Sequence, residues 1–224
     1  GLVGSEMCIR DSFRGETLFA RGLIFVEGVT EEQLIRGMFQ AYFGDDPSTF
    51  GISIIGVDGK SYAPFLMLAL SLHKPFCVIS DNDGDAKRVV LKQLSETERR
   101  LRCSAKDYQS GVYFLSPGLA MEGELVYKTG LKREILDALK RCNTSTNTSA
   151  KAKRLQHERL ASMTPRELKR RLEKHKAEYS GFLGDIIAQN PYDQPIESLL
   201  PKAISQAFEQ ISHWLERKPL GHQE

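Results

Sequence analysis

The chain alternates short, continuous apolar runs with stretches in which apolar residues recur every three or four positions. Residues 22–27, 51–57, 75–80 and 111–116 are runs of the strand type, and the segments between them carry helical spacing. Leu34, Met38 and Tyr42 share one face of a helix whose start is marked as a capping box by Thr30-Glu31-Glu32-Gln33. Further helices are predicted over 61–72, 86–102 and 131–141, the last with Ile135, Leu136 and Leu139 inward. Strands separated by helices predict an α/β fold with a doubly wound, mostly parallel sheet.

Beyond residue 141 the pattern changes. Residues 142–150 are polar and lack apolar groups to pack, which predicts a flexible connection. The helical region after it opens on Thr164-Pro165-Arg166-Glu167, an N-cap, a proline at the first helical position and a glutamate at the third. That helix is predicted to run to about Gln189, and a last one over 199–216 places Ile204, Phe208, Ile211 and Leu215 on one face. The expected organisation is a leader of uncertain nativeness over 1–20, without assigned function, a catalytic α/β domain over 21–141, a linker over 142–150 and a helical C-terminal extension over 151–224.

Composition narrows the functional classes. A hydrophobic content of 41% is enough for a full core, and a formal net charge of +2 excludes a uniformly basic nucleic-acid-coating protein, so any nucleic-acid contact must be local. Cys8, Cys77, Cys103 and Cys142 lack metal-ligand spacing, which points to a reducing, cytoplasmic compartment, with Cys77 a small core residue. The Asn143 and Asn147 sequons then read as linker. The longest apolar stretch, 65–72, is too short to span a membrane, and no signal-peptide pattern opens the chain.

Two acidic clusters carry the candidate chemistry. Glu27 closes the run 22–26, and Asp81-Asn82-Asp83 closes the run 75–80, so both stand at the carboxyl ends of predicted parallel strands, where open α/β sheets bind ligands. Period-two geometry directs Asp81 and Asp83 to one side, and Gly84 permits the turn after them. A calcium loop is excluded because Ala86 and Lys92 occupy the positions of its glycine and final glutamate. Glu31 either points back at the same crevice or complements the helix dipole. Glu122 and Glu124 follow the fourth strand as further ligands or as solvated helix-start acids, with Glu122 the stronger candidate between Met121 and Leu125. Gly59-Lys60-Ser61 is not a phosphate-binding loop, since Ile54 stands where its first glycine belongs; no ATP site is expected, although Asp58 or Lys60 can touch substrate. Lys176 falls within the stripe Leu168, Leu172, Tyr179 and Leu183, so it either snorkels to solvent or serves as a cation for a transferring phosphoryl group, whereas His175 reads as a surface residue. Hard carboxylate oxygens from distant segments suit a divalent metal.

With Glu27 and the Asp81/Asp83 pair in place, the chain resembles a TOPRIM domain. Val26-Glu27-Gly28-Val29-Thr30-Glu31, the segment 54–60 and the surroundings of Lys176 are similar to the nuclease half of the OLD (overcoming lysogenization defect) family of ATP-dependent endonucleases. The resemblance covers roughly residues 20–190. It implies metal-dependent endonuclease action on DNA with two Mg²⁺ or Mn²⁺ ions held by Glu27, Glu31, Asp81, Asp83 and Glu122, with Glu27 and Lys176 catalytic. It also implies a missing or separate ATPase domain. Glu31 stands where the family commonly has aspartate. A non-cleaving TOPRIM module that binds DNA or a partner is the alternative, ahead of a primase or topoisomerase, for which neither a placed nucleophilic tyrosine nor a zinc-binding segment is seen.

Overall fold

A computed structural model describes residues 16–142, 150–189 and 191–216. Most of the anticipated leader and all but the ends of the anticipated linker therefore lie outside the described residues. The chain forms β1 (Gly22–Val26), α1 (Val29–Phe43), β2 (Ile52–Gly56), α2 (Ala63–Ser71), β3 (Phe76–Ser80), α3 (Ala86–Leu101), β4 (Gly111–Phe114), α4 (Met121–Lys128) and α5 (Lys132–Cys142). It continues as α6 (Ala150–Ala161), α7 (Pro165–Lys174), α8 (Lys176–Gln189) and α9 (Lys202–Leu215).

The four strands are all parallel in the order β2-β1-β3-β4. Every residue of β1 and β3 is buried, because helices cover both faces of these central strands. Leu23 and Phe25 join Phe65, Leu66, Phe76 and Val90 on the face beneath α2 and α3. Ile24 and Val26 enter the larger core on the other face, with Leu34, Met38, Phe39, Tyr179, Leu183 and Phe208. The chain leaves β1 toward one face and β3 toward the other, so a crevice opens between their carboxyl ends. Cys77 is a fully buried core residue, as its apolar setting predicts.

The C-terminal helices complete this core. Phe208 on α9 meets Phe39 edge-on, with ring centroids 5.6 Å apart, and Tyr42 at 5.3 Å. Helices α1 and α8 approach more closely than side chains would allow. A Cβ on Gly37 would lie 2.2 Å from the Gly184 carbonyl oxygen, and one on Gly184 would lie 2.7 Å from the Gln33 carbonyl oxygen. The Ser180 hydroxyl also donates to Gln33 Oε1. No helix among the described residues is long and apolar enough to cross a membrane.

Two local expectations are corrected. Thr30 does not cap α1: the helix begins at Val29 with Gly28 as its N-cap and no side-chain cap bond, and Gln33 is engaged by α8 instead. The helix predicted from Pro165 to Gln189 is two helices. His175, at φ −123° and ψ 30°, donates its N–H to Leu172 and accepts at its carbonyl from the amides of Glu178 and Tyr179, ending α7 and opening α8. The Thr164–Glu167 capping box forms as predicted.

Gly184→Ala should be destabilising even though alanine is the better helix former, because the added methyl meets backbone rather than a movable side chain. A loss of about 1–3 kcal/mol in denaturant unfolding is expected, and an unchanged midpoint would contradict the close helix crossing.

Candidate metal centre

Strand register sets the first acid. Leu23 pairs with Phe76 and Phe25 with Val78, so Glu27, one residue past β1, is level with Ser80 and one step short of Asp81. Its backbone is held by Val57 N–H donating to Val26 O (2.9 Å) and Gly59 N–H donating to Glu27 O (2.8 Å). Gly56 lets β2 approach this turn, since a Cβ there would lie 3.2 Å from the Gly28 carbonyl carbon. The Glu27 side chain is half-buried, and its Oε2 is buried without a hydrogen-bond partner among the described residues. Glu31 follows in the first turn of α1 and is buried.

The second cluster is built by the end of β3. Asp81 is buried, and its Oδ1 accepts from Met121 N–H (3.1 Å) at the start of α4. Asn82 ties the loop after β4 to this point: its Nδ2 donates to Leu115 O (2.8 Å), its N–H to Leu119 O (3.0 Å), and its carbonyl accepts from Gly118 N–H (2.8 Å). Gly84, at φ +50°, turns the chain as its sequence position required. Asp83 is half-exposed, with Lys60 Nζ 3.7 Å away, and Asp85 pairs with Lys60 at 3.7 Å and Arg88 at 2.9 Å on the surface.

Helices α4 and α8 supply the remainder. The side chain of Glu122 is 2% exposed, and its Oε1 meets Lys176 Nζ at 3.0 Å while accepting from the Tyr179 hydroxyl at 3.5 Å. Lys176 is the first residue of α8, and with its side chain 49% exposed it reaches inward from a solvated position. Glu124 turns away from this cluster. Its carboxylate accepts from Ser116 N–H and Oγ, each at 3.0 Å, and stabilises the loop after β4. Tyr179 has a polar role that its place in the apolar stripe concealed. A tyrosine three positions after Lys176, where a phenylalanine would have packed as well, was the available signal.

The electrostatics bind these groups into one site. Burial, followed by repulsion from Glu27, Glu31, Asp83 and Glu122, pushes the Asp81 carboxyl up to about 8. Glu27 is raised by burial and by Asp83 and Glu122, against the opposing pull of Lys60 and Lys176. Glu31 is raised by burial and by Glu122 and Glu27, against its own backbone hydrogen bond and Lys176. Burial disfavours the Lys176 ammonium, but the Glu122 hydrogen bond and the fields of Glu122, Glu31 and Asp81 overcome it and raise its pKa. Burial, and then Glu122, raises the Tyr179 hydroxyl, which stays protonated and able to donate.

Among the described residues no three acidic, histidine or cysteine side chains stand in a ready chelating arrangement. Lys176 occupies Glu122, and Lys60 lies beside Asp83. The donor set nevertheless suits a hard divalent cation: carboxylates that repel one another across a shared edge, and a buried Glu27 oxygen without a partner.

Residues 18–83 match the family described as Overcoming lysogenization defect protein-like, TOPRIM domain. The match includes Glu27, Glu31, Asp81 and Asp83 and ends before Glu122 and Lys176. The fold is similar to the C-terminal region of the Xanthomonas campestris pv. campestris OLD protein, with a TM-score of 0.61, 20% identity, and coverage of 90% of this chain and 97% of that one. It is also similar to the C-terminal region of the Burkholderia pseudomallei OLD protein, with a TM-score of 0.58, 22% identity, and coverage of 88% and 99%. A search of curated proteins found no match.

The raised Asp81 carboxyl has a defined consequence for stability. Between its ordinary value of 3.8 and about 8 the folded protein holds a proton that the unfolded chain has lost. This contribution is present in full below the ordinary value and is lost as pH rises toward 8. In EDTA, the midpoint of thermal unfolding should fall from about pH 5 to about pH 8.5. Asp81→Asn, which keeps an acceptor for Met121 N–H, should flatten that fall, and an equal slope in both proteins would contradict the coupling.

Proposed function

We propose that this TOPRIM module, related in fold to the C-terminal regions of OLD proteins, is a divalent-metal-dependent DNA endonuclease. The observation that carries the reading is the repulsion among Glu27, Glu31, Asp81, Asp83 and Glu122, which disfavours Glu27, Glu31 and Asp81 as anions, together with the buried Glu27 Oε2 that no described residue hydrogen-bonds. Buried acids that destabilise one another are a poor structural device and a good cation site.

In this reading Glu27, Glu31, Asp81, Asp83 and Glu122 would hold two Mg²⁺ or Mn²⁺ ions. Such ions, when bound, supply Lewis-acid stabilisation and an activated water for phosphodiester hydrolysis. The chain's own residues do the positioning. Asn82 and the Asp81–Met121 contact hold β3 and α4 together, so Asp81 and Glu122 keep a common frame. Lys176 pairs with Glu122 and, were that carboxylate to hold a cation, would offset charge on a phosphoryl group. Tyr179 holds Glu122 from the buried side. Operation together with an ATPase region outside this sequence belongs to the same proposal.

The Lys176–Glu122 and Lys60–Asp83 contacts favour a second reading, a module that docks DNA or a partner without cutting it. Plasmid nicking in Mg²⁺, Mn²⁺ or EDTA separates the two. Cleavage with either metal and none in EDTA is expected. Glu27→Gln and Asp81→Asn should abolish it with the fold retained, and Lys176→Gln should lower the rate roughly 10²- to 10³-fold. Undiminished cutting by Asp81→Asn would overturn the assignment, and no cutting under any metal would favour the docking module.

A further inference from the structure

Basic charge is concentrated in one part of the chain. Residues 150–174 contain nine lysines and arginines against three acidic residues, so with a formal net charge of +2 overall the remainder is net negative. This segment forms α6 and α7. Where the two helices meet, a surface cavity of about 430 Å³ is lined by Arg159, Met163, Glu167, Arg170, Arg171 and Lys174. Its one acidic lining residue, Glu167, accepts at Oε2 from Thr164 N–H at 2.8 Å and from Thr164 Oγ1 at 2.7 Å and also attracts Arg159 and Arg170, which leaves the lining net positive. Arg159, Arg170 and Lys174 in one concavity repel one another, and a polyanion seated there removes that repulsion.

The position of this cavity indicates which polyanion it takes. Helix α7 packs along α4, with Lys169 Cε 3.3 Å from where a Cβ on Gly123 would lie, beside Glu122. Lys174 precedes by two residues the Lys176 that pairs with Glu122. The cavity and the lysine of the acidic edge are therefore carried on consecutive helices, with Lys174 on the one and Lys176 on the other two residues apart. A ten-residue helix extends about 15 Å, which is about four phosphate steps along one strand of B-DNA. The acidic edge itself repels phosphates, so a nucleic acid held there needs an adjoining positive surface.

We infer that the α6–α7 face binds the DNA backbone flanking the acidic edge, with Arg159, Arg170 and Lys174 as phosphate contacts. This inference rests on the reading of that edge as a DNA-cleaving centre. All three side chains are exposed, so their replacement leaves the core untouched.

The test is fluorescence anisotropy of a labelled DNA duplex with the full chain in Ca²⁺, titrated with salt. The triple variant Arg159→Gln/Arg170→Gln/Lys174→Gln should bind at least about tenfold more weakly at low salt, with a log–log salt slope shallower by roughly 2–3. Arg99→Gln/Arg100→Gln on α3, across the sheet, should leave the slope unchanged. If the triple variant unfolds, Lys174→Gln alone should reduce the slope by roughly 1. An unchanged slope, or an equal loss in the α3 control, would overturn the inference. Failure of the nuclease reading looks different: the duplex binds with the steep slope, yet no metal supports cleavage. Conversely, metal-dependent cleavage by the triple variant with the wild-type salt dependence would remove the surface and leave the nuclease reading standing.

Discussion

The architecture depends on holding like charges together at the carboxyl ends of β1 and β3. Five acidic side chains from three stretches of the chain are brought within range of one another's charge by strand register and helix packing, although their mutual repulsion and their burial both oppose it. The surrounding fold must supply the energy that keeps them there. Central strands buried on both faces, and a core continued by aromatic contacts from α1 to α9, provide that rigidity.

Part of the repulsion is relieved locally, and the means differ from acid to acid. Asp81 receives a backbone amide, Glu122 receives an ammonium and a phenol, and Asp83 lies near Lys60 at the solvent boundary. Glu27 Oε2 receives no hydrogen bond from the described residues and is drawn only by the fields of Lys60 and Lys176. The close crossing of α1 and α8 links these solutions, because it fixes the helix bearing Lys176 and Tyr179 against the helix bearing Glu31. A buried carboxylate left without such partners would be strongly destabilising, which gives the lysine a structural duty alongside any chemical one.

Several elements were readable from local pattern. The four strands lie inside the predicted runs, trimmed by one or two residues at their ends, because apolar runs bounded by turn residues leave few alternatives. Glu27 and the Asp81/Asp83 pair were legible because strand-end position alone places them. Glu122 was separated from Glu124 by its apolar neighbours, and the Glu124–Ser116 contacts account for the difference. The capping box at Thr30 failed because the extended backbone of Gly28 already starts the helix two residues earlier. The single helix through His175 failed because a break that preserves the apolar stripe leaves no trace in periodicity: Leu168, Leu172, Tyr179 and Leu183 are buried on both sides of it.

The amino-acid order by itself determined the α/β class, the strand–helix alternation and the residue types able to ligate a hard cation, since hydrophobic period and side-chain chemistry are local properties. Only the tertiary structure decided that β3 lies beside β1, that α8 crosses α1 backbone to backbone, and that Lys176 and Tyr179 converge on Glu122. Those contacts join residues far apart in the chain, and what selects them is the packing of the whole core and the electrostatic balance of the assembled edge, neither of which exists until the chain has folded.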